Sequence, residues 1–166
     1  MCSLVSKFFC IILGRAKKLE VCLFEPEIAQ NTGAIVRLCA CFGIYRLSII
    51  EPASFVFENN RLFKRAGMDY IEQVELIRHE SFKEFRKSYV GRIVLFDIKA
   101  DKKYFNIQFF ESDCIMLGKE SSGVTDEVFS GCDERVVIPI NPQARSMNVA
   151  MCAAIGLAEA TKQITT

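Results

Sequence analysis

Three short polar stretches carry the residue types that handle a ligand. Asn31-Thr32-Gly33 opens a helical segment with Arg37 near its start. Gly118-Lys119-Glu120-Ser121-Ser122-Gly123 follows one apolar run, and Asn141-Pro142-Gln143-Ala144-Arg145-Ser146-Met147-Asn148 follows another. An arginine beside the exposed N–H groups of a helix start suits a phosphate or a ribose. A solvated surface arginine has the same spacing. The glycines that bound the second stretch let backbone approach a ligand closely. The stretch lacks Walker spacing, and no G-x-G-x-x-G follows a strand anywhere in the chain. The third stretch joins a strand's carboxyl end to a helix start, where open α/β sheets place ligands; an ordinary connection reads the same way. Arg61, Lys64 and Arg65 fall at i, i+3 and i+4 and make one basic helical stripe. Tyr70 follows it with a ring able to stack on a base, while a solvated charged face is the plainer reading. The one histidine, His79, reads as a loop residue, which leaves no obvious imidazole base.

Alternating elements must position these residues. Glu20–Phe24 is a first strand, closed by Glu25-Pro26. Ala34 to Phe42 is helical, with Asn31 or Thr32 as its cap and Gly43 in the C′ place. Arg46–Ile50 is a second strand, and Glu75–Ile77 a short third. Ser81-Phe82-Lys83-Glu84 is a capping-box pattern opening a helix to Ser88. Arg92–Asp97, Ser112–Leu117 and Arg135–Ile140 are apolar enough to be buried strands. Thr125-Asp126-Glu127 opens a short helix, and Ser146 caps a last one, Met147–Ala160, whose small residues imply a very close neighbour. Strands alternating with helices make the class α/β, with a mainly parallel sheet and helices on both faces.

Composition excludes several functions. The chain has 166 residues, 51% hydrophobic and 25% charged, which fits one globular domain. A net charge of +1 gives no global pull toward nucleic acid, so any RNA contact rests on a local patch. None of the eight cysteines forms a C-x-x-C pair, and most lie in apolar runs. That argues for a reducing compartment, the cytoplasm, with cysteine used as a small hydrophobe and no metal site. The apolar stretch Phe8–Leu13 is too short to span a bilayer, and no small-residue cleavage site follows it. Residues 1–18 are therefore expected to be an N-terminal extension, and residues 19–166 a single domain.

Taken together, the motifs resemble those of the SPOUT superfamily of knotted RNA methyltransferases, in particular the small TrmL (YibK-type) group. The resemblance rests on Glu25-Pro26-Glu27-Ile28-Ala29-Gln30-Asn31-Thr32-Gly33 with Arg37, on Lys64-Arg65-Ala66-Gly67-Met68-Asp69-Tyr70, on Leu117-Gly118-Lys119-Glu120-Ser121-Ser122-Gly123, and on Ile138-Pro139-Ile140 with Ala144-Arg145-Ser146-Met147-Asn148. Each motif alone is weak; four in order, between Leu19 and Lys162, are specific.

The resemblance implies an α/β knot in which the C-terminal segment is threaded through a loop, a topology that general fold rules would not propose. It implies a homodimer through the knotted C-terminal region. It implies S-adenosylmethionine as methyl donor without a metal, contacted by Phe96, Gly118, Ile138 and Ser146, with Gly118 leaving room for the adenine. The implied reaction is 2′-O-methylation of the wobble pyrimidine, cytidine or modified uridine, in a tRNA anticodon loop. Arg37, Glu120 and Asn148 match its catalytic positions: Arg37 for orienting ribose or phosphate and easing alkoxide formation, Glu120 for organising its loop, Asn148 for hydrogen bonding near the reacting centre. Asn31, Arg65 and Tyr70 are the candidates for tRNA contact. Lys119 stands where close relatives often have proline, which predicts a less rigid loop. Three alternatives stay open: a 2′-O-methyltransferase for ribosomal RNA or another tRNA position, a non-catalytic RNA-binding knot, and a doubly wound nucleotide-binding module.

Overall fold

The computed structural model describes residues 19–165; the expectations for residues 1–18 lie outside them. Six strands form one sheet: β1 (Glu20–Phe24), β2 (Arg46–Ile50), β3 (Glu75–His79), β4 (Arg92–Phe96), β5 (Asp113–Leu117) and β6 (Glu134–Val136). Their order is β3-β2-β1-β5-β4-β6, and every pairing is parallel. The helices are α1 (Ala29–Cys41), α2 (Arg61–Gly67), α3 (Phe82–Ser88), α4 (Asp126–Gly131) and α5 (Val149–Thr165), with 3-10 turns at Met68–Gln73 and Tyr104–Asn106.

Period-two alternation divides the strands between two apolar layers. Val21, Leu23, Leu47, Ile49, Ile115 and Leu117 face α1, α2 and α5. Cys22, Phe24, Ile50, Ile93, Leu95 and Met116 face α3 and α4, through Phe85 and Val128. The expected α/β class with helices on both faces is what forms. The order also creates a switch point. The chain steps outward through β1, β2 and β3, then crosses to β4 and inserts β5 between β4 and β1. Leu23 pairs with Leu117 and Leu117 with Phe96, so the carboxyl ends of β1, β5 and β4 lie side by side. Open α/β sheets bind ligands at such a place.

A buried ion pair anchors the other end of β4 and β5. Arg92 Nε and Nη2 lie 3.0 and 2.7 Å from the two carboxylate oxygens of Asp113, which is fully buried. Phe110 N–H donates to the same carboxylate at 2.9 Å. Removing one partner of such a pair would leave an uncompensated charge, which costs about 3–5 kcal/mol. Cys22, Cys39, Cys114 and Cys132 are buried free thiols. Burial pushes Cys39 and Cys132 up to about 12, so they pack as small hydrophobes.

Several boundaries differ from the sequence expectation. Helix α1 starts at Ala29, so Asn31 and Thr32 lie in its first turn and cap nothing. Gly43, at φ +70°, does close the helix. Strand β6 is only three residues long. Val137 bridges Lys103, and Ile138 to Ile140 leave the sheet, because Pro139 has no N–H for a ladder. His79 ends β3 rather than lying in a loop, buried with a ring nitrogen 3.2 Å from Ser48 Oγ. Desolvation lowers its pKa and favours the neutral ring. The small residues of α5 also have an internal explanation. Ala150, Ala153, Gly156, Leu157 and Ala160 are buried in the chain's own core. A Cβ on Gly156 would stand 2.8 Å from the Phe96 ring.

Candidate active site

A cavity of about 580 Å³ opens at the switch point. That volume suits a ligand of cofactor size. Its walls come from the three carboxyl-end loops: Phe96 to Lys99 after β4, Leu117 to Gly123 after β5, and Val137 to Ile140 with Arg145 to Val149 after β6. Ile28 and Asn31, at the start of α1, complete it. Four expected donor contacts, Phe96, Gly118, Ile138 and Ser146, therefore line one cavity, and Asn31, Glu120 and Asn148 line it too. No backbone hydrogen bond engages Ile138 within the described residues, which leaves its N–H and C=O for a ligand. Apolar side chains with a few unengaged backbone groups fit a purine ring, so the residues present suit the donor that the sequence resemblance implies.

The loop after β5 is held tightly. Lys119 N–H donates to Gly123 C=O at 3.0 Å and Gly123 N–H to Lys119 C=O at 2.8 Å. Lys119 Nζ lies 3.4 Å from a Glu25 carboxylate oxygen and 3.8 Å from one of Glu27. Lysine at this place therefore ties the loop to the segment after β1, contrary to the expected loss of rigidity. Ser121 N–H donates to Glu27 at 2.8 Å and, with Lys119, holds the Glu27 carboxyl below its ordinary pKa. Gly118 serves this closure. A Cβ there would stand 2.8 Å from the carbonyl carbon of Gly123, so the missing side chain admits Gly123 rather than an adenine.

Glu120 does what no side chain of α1 does: it caps that helix. Its carboxylate accepts from Glu27 N–H at 2.9 Å, Ile28 N–H at 3.3 Å and Asn31 Nδ2 at 3.1 Å. An anion is favoured at a helix N-terminus, where unpaired N–H groups converge. Asn31 Oδ1 then accepts from Asn148 Nδ2 at 3.0 Å. Asn148 Oδ1 in turn accepts from Ala150 N–H at 2.9 Å and Met151 N–H at 3.4 Å. Asn148 is thus the cap of α5, and the expected cap, Ser146, is exposed and makes no such bond. The chain Glu120–Asn31–Asn148 fixes both amide orientations, because a carboxylate only accepts.

Arg37 does not line the cavity. It is exposed on α1, six residues beyond Asn31, about 9 Å along the axis. Its Nη1 lies 3.5 Å from Met68 Sδ, and its guanidinium carbon 5.6 Å from the Tyr70 ring centroid. Arg61, Lys64 and Arg65 lie on α2, which Asn60 caps and which packs on α1. Among the described residues these four cations make no ion pair, whereas Arg46, Arg78, Arg86 and Arg92 all do. Neither Arg65 nor Tyr70 reaches the cavity. Two features escaped the sequence reading: the position of Met68 against Arg37, and Glu120 as a cap for a helix some ninety residues earlier in the chain. Neither has a local sequence signal, since both contacts are long-range.

Among the described residues, no group of three or more His, Cys, Asp or Glu is placed to hold a metal. No helix among them is long and apolar enough to cross a membrane.

Residues 18–158 match the SpoU rRNA Methylase family. The chain is 46% identical over 145 residues to a tRNA (cytidine(34)-2′-O)-methyltransferase of Beijerinckia indica subsp. indica, spanning 86% of this chain and 89% of that protein. It is 34% identical over 149 residues to the enzyme of that name from Escherichia coli K12, spanning 88% and 94%. A solved structure concerned with 2-OH methylation of C/U34 on tRNA superposes with a TM-score of 0.83 at 32% identity, over 89% of this chain and 96% of that one. AviRb, a SpoU methyltransferase from Streptomyces viridochromogenes solved with the cofactor AdoMet, gives 0.80 at 25% identity over 90% of this chain and 61% of that one. With three of the four motifs gathered at the switch point of a matching fold, this chain belongs to the SpoU rRNA Methylase family.

Proposed function

We propose that this protein transfers a methyl group from S-adenosylmethionine to the ribose 2′-hydroxyl of the wobble pyrimidine, cytidine or modified uridine, in a tRNA anticodon. The observation that carries the reading is the cavity at the switch point, walled by the three motif loops, in a chain 46% identical to a tRNA (cytidine(34)-2′-O)-methyltransferase. The bound donor supplies an electrophilic methyl group on a sulfonium. Phe96, Leu117, Ile138 and Ile140 form the apolar wall, and the Ile138 backbone offers a donor and an acceptor for the adenine edge. Gly118 and Ser146 border the same space.

The remaining chemistry is alignment of a weak oxygen nucleophile. Arg37 presents a planar, delocalised guanidinium, which donates hydrogen bonds and is a poor base. It therefore acts by orienting ribose or phosphate and stabilising negative charge as the hydroxyl is deprotonated, a contribution of oxyanion type. Glu120 organises the loop by capping α1. Asn148 has its oxygen and one amide hydrogen engaged, so its second amide hydrogen is what it offers toward the reacting centre. Asn31 and the unpaired cations of α2, Arg65 among them, face the RNA, with phosphate contacts that weaken as salt rises.

We infer a knot and a homodimer as well. The C-terminal segment is knotted: β6 lies at the sheet edge beyond β4, yet α5 returns to pack on α1 and β5, and Gln163 near its end bonds to Ile107 and Phe109 of the β4–β5 connection. The protein is a homodimer through this region. Ile28 and Met151 are 44% and 57% exposed at helix starts that the Asn31–Asn148 bond joins. Pairing there would also bring Arg37 of a second copy toward a cavity that Arg37 of the same chain does not line. The compartment is the cytoplasm, where tRNA and reduced thiols coexist.

The deciding experiment is methyl transfer from labelled S-adenosylmethionine to unmodified tRNA, native tRNA and ribosomal RNA, with the product nucleotide mapped. A 2′-O-methylated wobble pyrimidine is expected. Methylation of ribosomal RNA or of another tRNA position would replace the substrate. Donor binding without transfer to any pool would favour a non-catalytic knot.

A further inference from the structure

We propose that the turn Met68–Tyr70 is a positioning clamp for the Arg37 guanidinium, so that Tyr70 acts through Arg37 instead of stacking on a tRNA base. The inference rests on the proposed role of Arg37 in easing alkoxide formation.

The clamp begins with a close helix contact. Gly33 lies one turn before Arg37 on α1. A Cβ there would stand 2.5 Å from the Phe63 carbonyl oxygen and 2.8 Å from Ala66 Cβ, so α2 rests directly on the α1 backbone. Helix α2 then ends abruptly. Gly67 is its last residue, and Met68 takes φ +51° and ψ −145°. That conformation is unusual for a residue with a side chain and persists only where surrounding structure enforces it. Its consequence is local. The chain folds back along α1 and brings Met68 Sδ within 3.5 Å of Arg37 Nη1, while the Tyr70 ring packs against the same guanidinium at 5.6 Å. Met68 is 51% exposed, so burial of its side chain does not account for the turn. A free surface arginine samples many rotamers. One held by a sulfur acceptor and an aromatic face samples few, and a pre-set donor is what a developing alkoxide requires.

The test uses Tyr70→Leu, Tyr70→Phe and Met68→Leu in the full chain, assayed with S-adenosylmethionine and tRNA. Tyr70→Leu should lower kcat about fivefold, as expected for loss of an exposed cation–π contact. KM for tRNA and Kd for the donor should stay unchanged. Tyr70→Phe, which keeps the ring, should restore kcat. Met68→Leu, close to isosteric, should lower kcat about twofold and answers the same question if Tyr70→Leu does not fold. On an Arg37→Ala background, single-turnover transfer should show no added loss from Tyr70→Leu. A raised KM with unchanged kcat would make Tyr70 an RNA contact and overturn the clamp. So would wild-type kcat in both leucine variants, or an undiminished loss on the Arg37→Ala background. Full turnover in Arg37→Ala alone would instead sink the reading of Arg37 on which the clamp depends.

Discussion

The cavity at the switch point and the outer face of α1 and α2 handle charge in opposite ways. Around the cavity nearly every charged or amide group is committed. Lys119 pairs with Glu25 and Glu27, Glu120 caps α1, and Asn31 and Asn148 bond to each other. On the α1–α2 face, Arg37, Arg61, Lys64 and Arg65 are exposed and make no ion pair among the described residues. A preorganised pocket needs its polar groups satisfied before a ligand arrives. A surface that meets phosphates needs its cations free of carboxylate partners, because affinity comes from displaced counterions. The contrast would give a chain of net charge +1 a local cationic surface for the proposed RNA contact.

The largest effect is expected from Arg37→Ala. It should reduce methyl transfer by about 100- to 1000-fold, the usual effect of deleting a charge-stabilising group. Donor affinity, measured by calorimetry, should be unchanged. A parallel loss of donor binding would mean that the two regions are one site within a single chain. Next is Glu120→Ala, which removes three acceptor contacts and leaves the α1 start uncapped. Thermal denaturation should show a loss of about 2 kcal/mol, with weaker donor binding because the loop loses its tie. Intact tRNA affinity in this variant would sharpen the separation.

Smaller effects follow from the basic stripe. Replacing Arg61, Lys64 or Arg65 by Gln should each lower the slope of log affinity for tRNA against log salt by about one, with donor binding insensitive to salt. Unchanged slopes in all three would remove α2 from the RNA face. Last are the two candidate caps of α5. Asn148→Ala should lower stability by about 1 kcal/mol, whereas Ser146→Ala should have almost no effect on melting. Equal effects would contradict the cap geometry.

Much of the fold was legible from local pattern. Alternation and short apolar runs located β1, β2, β4 and β5, because buried parallel strands leave a continuous apolar signature. Ser81 and Thr125 were readable as caps, since a cap bonds only two or three residues away. The candidate site was legible as four motifs in order, but not as a geometry. Ser146 looked like the cap of α5, yet Asn148 takes that role because the helix begins later than the alanine-rich pattern suggests. Asn31 looked like a cap for α1. Glu120 supplies it instead, because the switch point sets the loop after β5 beside the start of α1.

By itself the amino-acid sequence determined the α/β class, most of the strands and the motif residues, all properties of residue type and short-range spacing. The tertiary structure alone decided the partners of those residues: Asn31 with Glu120 and Asn148, Lys119 with Glu25, and Met68 and Tyr70 with Arg37. The reason is physical. Insertion of β5 between β1 and β4 juxtaposes segments some ninety residues apart, and no local periodicity encodes which loops a strand order will bring together.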